Sequence, residues 1–237
     1  MTESRSIPWK TITVEAAAIV VSILLAFAID AWWAEKKDSD VERVALLALH
    51  NDFIASREQL ERVRLSLEGA RTDFARFQSI TNTELIEIDL NAIQSFLTAL
   101  VKNHTFDPVT ATLDALANDG RLGLISDAQL LAQLSNWRRN VDNIADISFE
   151  FRAESVRVRR AMERHGGPFA RGRGRNDLQV LQLADGETMA NLRQDEEFMG
   201  TTKSHQYALA IYLRGLDNLA ETLDSIVTSL DQINAAR

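Results

Sequence analysis

Apolar positions follow two patterns along this chain. Between Ala16 and Ile29 the run AAAIVVSILLAFAI carries no charge, and between Ile12 and Trp33 the only charges are Glu15 and Asp30. Past Trp33 the apolar residues space out at alternating intervals of three and four. Leu46, Leu49, Phe53, Ser56, Leu60, Val63, Leu67, Ala70, Phe74 and Phe77 form one such series. Leu130, Leu134, Trp137, Val141, Ile144, Ser148, Phe151, Ser155, Val158 and Met162 form a second. Leu209, Tyr212, Leu216, Leu219, Leu223, Ile226, Leu230 and Ile233 form a third. This spacing places each series on one face of a helix. Sustained apolar/polar alternation is confined to the short runs LIEIDL and LQVLQL, so strands are minor and the fold class is all-α.

Punctuation sets the element boundaries. Pro8 precedes the first run, Pro108 stands at the first position of a short helix that Asp107 caps and Gly120 ends, and Gly166-Gly167-Pro168 closes a long one. Ser126 with Gln129 reads as a capping box, and Asp89 as the cap of a helix near 90–102. Neither Pro nor Gly occurs between Trp9 and Gly69, which predicts one helix running through both patterns, with Gly69 a tolerated weak point. The expected architecture is a tail at 1–11, a transmembrane helix at 12–34 and an extramembrane bundle at 35–237. Three long antiparallel helices would form that bundle: one rising to about residue 80, one descending over 127–165 and one rising over about 190–235. A small helical cap would occupy 81–125 and an Arg/Gly-rich loop 166–188.

The membrane assignment rests on the flanks. Trp9 and Trp32-Trp33 form aromatic belts about 35 Å apart at 1.5 Å per residue. Lys10, Lys36 and Lys37 can reach headgroups. A cleaved signal peptide is the competing reading, with Arg5 and Lys10 as its basic start and Ala26-Phe27-Ala28 as its cleavage site. The unbroken helical pattern past Ala26 favours the uncleaved anchor. Within the span, Ala18, Ser22 and Ala26 make a small-residue face suited to helix association. Glu15, on nearly the same face, is either an intramembrane polar site or an interfacial carboxylate. Basic residues flank both ends of the span, and the orientation adopted keeps the N-terminus inside, with the helical domain periplasmic.

The stretch VEAAAIVVSILLAFAIDAWWAEKK resembles the N-terminus of a family of uncharacterised bacterial single-pass membrane proteins. Its members read G-E, then G-I-L-x-A-L, then I-x-x-W-N-E-x-x-K. Glu15, Ile23-Leu24-Leu25-Ala26, Ile29, Trp32 and Glu35-Lys36-Lys37 match that pattern, whereas Val14 and Ser22 stand where the family has glycine. Phe106–Trp137 resembles the family's F-x-P…L-x-x-x-G-x-L-x-x-I-x-x-x-x-L block, and the two stretches cover about a quarter of the chain. The resemblance implies an inner-membrane topology and a helical domain, and no chemistry.

Composition narrows the function classes. The 237 residues carry 26 Lys and Arg against 34 Asp and Glu, a net charge of −8, which disfavours nonspecific nucleic-acid binding. No cysteine means no disulfide scaffold, thiolate nucleophile or Cys-ligated zinc. Histidines 50, 104, 165 and 205 stand apart, no catalytic or nucleotide-binding motif occurs, and no metal or cofactor is expected. Within the acidic chain, Ser148–Arg175 holds eight Arg against three Glu. If the second helix descends, Arg164, Arg171, Arg173 and Arg175 come back to the bilayer and contact anionic lipid. A solvated loop is the alternative. The functional expectation is a non-catalytic, oligomeric membrane-anchored scaffold or partner-binding protein, with membrane lipid, further copies and a membrane-protein partner as its contacts. An ion-conducting or proton-coupled component using Glu15 and a ligand-sensing helical domain are the alternatives.

Overall fold

The computed structural model describes residues 9–87, 89–101, 104–164, 169–171, 178–180 and 186–236. Side-chain surroundings are described from residue 19 onward, except at 86, 90, 94, 99–101, 169–171 and 178–180. The fold is all-α, apart from a minimal antiparallel pair, Phe169–Arg171 (β1) with Leu178–Val180 (β2). One helix, Trp9–Ser79 (α1), runs unbroken through Gly69. Asn82–Ile86 (α2), Leu90–Val101 (α3), Ala111–Asn118 (α4) and a 3-10 turn at Arg121–Leu124 follow. Then come Ala128–Arg164 (α5), Gly186–Gln194 (α6) and Glu196–Ala235 (α7).

The three apolar series form the core as their spacing requires. Every member of the first is buried except Ala70, of the second except Val141, and of the third except Ile233, and these three are half-buried. Trp137 of α5 packs edge-on against Phe53 of α1 at 5.2 Å and Phe106 at 6.4 Å, joining three segments at one point.

Register is legible in a ladder of polar pairs between α1 and α7. His50 Nε2 lies 2.8 Å from Asp231, Arg57 3.9 Å from Asp224, and Arg64 2.6 Å from Asp217. Both partners step by seven, in opposite directions, so the helices are antiparallel and meet along one heptad seam. Between α5 and α7, Gln133 Nε2 donates to Ser225 at 2.8 Å, His205 meets Ser155 at 3.0 Å, and Arg164 pairs with Glu197. That seam is antiparallel too. Gly215 permits its close approach, because a Cβ there would stand 2.5 Å from Ile144 Cδ1.

Two expectations are corrected by these contacts. Helix α5 does not descend. Its first turn lies beside Glu42 of α1, which accepts from Ser126 N at 2.7 Å, and its last turn lies beside the start of α7. Thus α1 and α5 both rise and α7 descends.

The 81–125 region is likewise more than a cap. Helix α3 packs on the upper part of α1, where Phe96 stacks on Phe77 at 3.9 Å and Ser95 donates to Asp73 at 3.3 Å. Residues 104–110 then run extended toward α4, which packs against α1 lower down. The region is therefore a broken descending arm, and the bundle is four-layered: up, broken down, up, down. Helices α2 and α6 pack on each other at the top.

The break has a local cause. Phe106 N donates to the buried Tyr212 hydroxyl at 2.9 Å, Val109 N to Ser56 Oγ at 2.9 Å, and Thr112 N to Asp52 Oδ2 at 3.0 Å. Side chains of α1 and α7 thus supply the acceptors that a helix would have supplied. Pro108 keeps Asp107 extended, so the helix starts at Ala111, and neither Asp107 nor Pro108 takes the role expected of it. Gly120 does end α4, at a left-handed φ of 67°. Asp89 Oδ1 accepts from Asn91 N at 3.3 Å, as a cap should. At α5 the cap is Asp127, whose carboxylate accepts from Leu130 N at 2.7 Å. The expected Ser126 box is displaced by one residue because Glu42 claims the Ser126 amide. Gly166-Gly167-Pro168 lie outside the described residues.

Candidate functional site

The largest departure from ordinary surface chemistry is the lower end of α1. Every residue from Ile19 to Asp40 is exposed, and the bundle begins only at Val41 and Glu42. Ile19, Val20, Val21, Ile23, Leu24, Leu25, Phe27 and Ile29 lie on all sides of this segment, with Phe27 67% and Leu24 61% exposed. Trp32 and Trp33 follow, edge to face at 5.8 Å, and the Lys36 ammonium sits 5.4 Å from the Trp32 ring centre. Among the described residues, no helix is long and apolar enough to cross a membrane. Residues 12–18 of the expected span have no described side-chain surroundings, so Glu15 and Ala18 fall outside the comparison. Ser22 and Ala26 are described, and both are exposed.

Directly above this segment lies a groove of about 760 Å³ between α1 and the α4–turn region. Trp33, Lys37, Val44, Ala48, Leu116 and Arg121 are among its walls. Val44 is 64% exposed although it stands within the bundle's span of α1. Asp40, at the same groove, is engaged with Arg43 at 3.6 Å.

The upper half of the bundle holds the most unusual polar group, His205. It is buried between α5 and α7, tilted over the Phe151 ring at 5.1 Å, with Nε2 3.0 Å from Ser155 Oγ. Burial lowers its pKa to about 4, so it is neutral in the fold near neutral pH. Ser155 Oγ gives its hydrogen to Phe151 O at 3.1 Å, so the pair resembles a nucleophile and base only in composition. The hydroxyl proton is spent on the helix backbone, and both residues are nearly solvent-free. Burial also raises the pKa of Tyr212, and its hydroxyl accepts from Phe106 N. These are fastenings of the core. Nothing in the sequence singled out His205 beyond its place one step before Leu209 in the third apolar series, which is the signal that marks it as buried.

The remaining site expectations are resolved by topology. Arg164 pairs with Glu197 at the top of the bundle, opposite the end where α1 projects. Counted along α1 from Glu42 to Ser79, that separation is about 55 Å. The expected return of Arg164, Arg171, Arg173 and Arg175 to the end where α1 projects rested on a descending α5, and Arg164, the one whose side chain is described, stands at the opposite end. Arg171 lies in β1 without a described side-chain environment, and Arg173 and Arg175 lie outside the described residues. Lower on α5, Arg157 meets Glu154 at 2.5 Å and Arg159 meets Glu163 at 3.7 Å, so two of the segment's arginines are paired within it. His50 and Asp52 point to different partners, Asp231 and Thr112. Among the described residues, no group of three or more His, Cys, Asp or Glu could hold a metal ion. In comparisons with known proteins, no family model, curated protein or solved structure matches the chain.

Proposed function

We propose that this protein is a membrane-anchored, non-catalytic α-helical scaffold or partner-binding protein. Residues 12–34 would act as its single span, and the four-layered bundle as its extramembrane body. One observation carries the reading: between Ile19 and Trp33 the large apolar side chains of the segment are exposed on every side of the helix. A helix hydrophobic all round needs an apolar environment, either lipid or other protein. The tryptophans and lysines that follow suit a headgroup layer. Resemblance to the bacterial single-pass family supports the same topology and an inner-membrane location. Oligomers would form through Ala18, Ser22 and Ala26, and the bundle would face the periplasm.

Fractionation of cells expressing the full chain tests the anchor. Retention in the membrane pellet through high salt and alkaline carbonate is the expected result, with release on removal of residues 1–40. A mature chain beginning at Ile29, or carbonate release of the full chain, overturns it. A C-terminal alkaline phosphatase fusion tests the orientation and should be active.

A further inference from the structure

Resting on the anchor reading, the geometry points to a two-fold interface between two copies of this chain, in which each copy's α1 lies in the other's groove between α1 and α4. Leu47 of one copy comes against Ala115 and Leu116 of the other, and Asp40 of one against Arg121 of the other. The surface is self-complementary, as a two-fold requires. Its hole is the groove, walled by Val44, Ala48, Ala115 and Leu116. Its knob is Leu47, 48% exposed on the same helix just outside those walls. A knob beside its own hole cannot fill it, whereas a second copy turned about a two-fold can. The rim carries both signs, Lys37 and Arg121 with Asp40 and Asp119. An ion of one sign would meet a like charge there, but a two-fold can set each sign against the other. The Asp40–Arg43 pair, at 3.6 Å and more than half exposed on both sides, gives way at little cost.

Direction and continuity follow from α1 itself. Two copies held in one bilayer by the same span point the same way, so their α1 helices run parallel and the two-fold stands along them. At about 100° per residue, Ser22, Ala26, Trp33, Val44 and Leu47 fall within an arc of about 60°. That arc lies on the side of α1 away from the buried Leu46, Leu49 and Phe53. The small-residue face of the span is therefore continuous with the groove face, along one unbroken helix. Val44 meets its own equivalent at the two-fold, which accounts for a valine left 64% exposed beside the groove. Small residues below, with a knob and hole above, keep the same two helices in contact from the span into the bundle. Farther up the same line stand Asn51 and Glu58, both exposed, so the apolar contact ends near Leu47.

The chain has no cysteine, so introduced cysteines report the interface without background. Full-length protein in isolated membranes, oxidised with copper phenanthroline, tests it. Val44→Cys is expected to give a disulfide-linked dimer, and differently tagged copies carrying Leu47→Cys and Ala115→Cys should join to each other. Phe149→Cys and Tyr207→Cys, both exposed on other helices, should stay monomeric. Asp40→Arg and Arg121→Asp should each lower cross-linking at Val44→Cys about fivefold, the scale of two half-exposed ion pairs. Both changes in one chain should restore it, which a merely structural role for either residue would not produce. Ala48→Trp, which fills the groove, should abolish the link between Leu47→Cys and Ala115→Cys, with a thermal melt confirming that the bundle is folded. Cross-linking at Ala26→Cys but not at Val44→Cys overturns the groove interface and leaves span association standing. Cross-linking at neither, in membranes that retain the chain through carbonate, overturns both and leaves the anchor. Release of the chain by carbonate overturns the anchor and, with it, the parallel arrangement. A disulfide from Val44→Cys to a different protein would show another occupant and overturn the proposal.

Discussion

Between Ile19 and Trp33, α1 exposes apolar side chains on every side, whereas from Leu46 to Phe77 the same helix buries one stripe and leaves the rest to solvent. No break separates the two stretches. What changes is the period of the apolar residues and, with it, the kind of environment that can cover them. In the upper stretch a stripe of alternating three and four is matched by the stripes of α5 and α7, and polar partners at 50, 57 and 64 lock the register. In the lower stretch no single stripe exists for another helix of this chain to match. A continuous helix can therefore pass from a protein-made core to a stretch whose apolar side chains this chain does not cover.

If that comparison is right, damage to one stretch should leave the other intact. The largest effect is expected from Trp137→Ala, which removes the ring that joins Phe53 and Phe106. A loss of about 4 kcal/mol in bundle stability should appear in urea titration, with membrane retention unchanged.

Next comes pH. His205 titrates near 6.5 in the unfolded chain and about 4 in the fold, so the unfolded state binds the proton more readily in between. Its contribution is fully present above about pH 6.5 and is lost as the pH falls to 4, about 3 kcal/mol in all. The difference in unfolding free energy between the protein and His205→Phe should trace that slope. A flat difference would remove the burial argument.

The converse change is Leu24→Arg, which should cost about 3 kcal/mol in membrane insertion and leave the thermal melt of the bundle unaltered. A lowered melting temperature would mean that the lower stretch packs on the bundle after all.

Gly215→Ala should destabilise by about 1 kcal/mol. The clash with Ile144 Cδ1 outweighs the gain in helix propensity, and the loss should be largely relieved in the Ile144→Val background. Smallest is Arg64→Ala. Its pairs with Asp217 and Glu61 are half-exposed, and a double-mutant cycle with Asp217→Ala should return about 0.5 kcal/mol.

The long helices could be read from spacing because a buried stripe repeats locally. Leu46 to Phe77, Leu130 to Met162 and Leu209 to Ile233 each declare their own inward face. The broken arm could not be read that way. Its break at 104–110 is held by Tyr212, Ser56 and Asp52, which lie far off in sequence. Pro108 marked that something happens there but not that the segment runs back down the molecule. The direction of α5 was lost for the same reason. Three long helices joined in order suggest alternation, and a descending arm made of short pieces restores that alternation with α5 rising. The end of α5 at Arg164 stands at the far end as a consequence. Of the groove, the sequence announces Trp33 and Lys37, while Arg121 is an unremarkable residue until α4 carries it to their side.

Local pattern alone determined that the chain is helical, where its long helices lie, which faces they bury, and that one segment is apolar on every side. These properties depend on residues within a few turns of one another. Tertiary structure decided which helices run parallel, where the basic segment ends up, and which side chains line the groove beside α1. Those outcomes depend on hydrogen bonds such as Glu42 to Ser126, eighty-four positions apart, and no local period encodes the satisfaction of a distant amide.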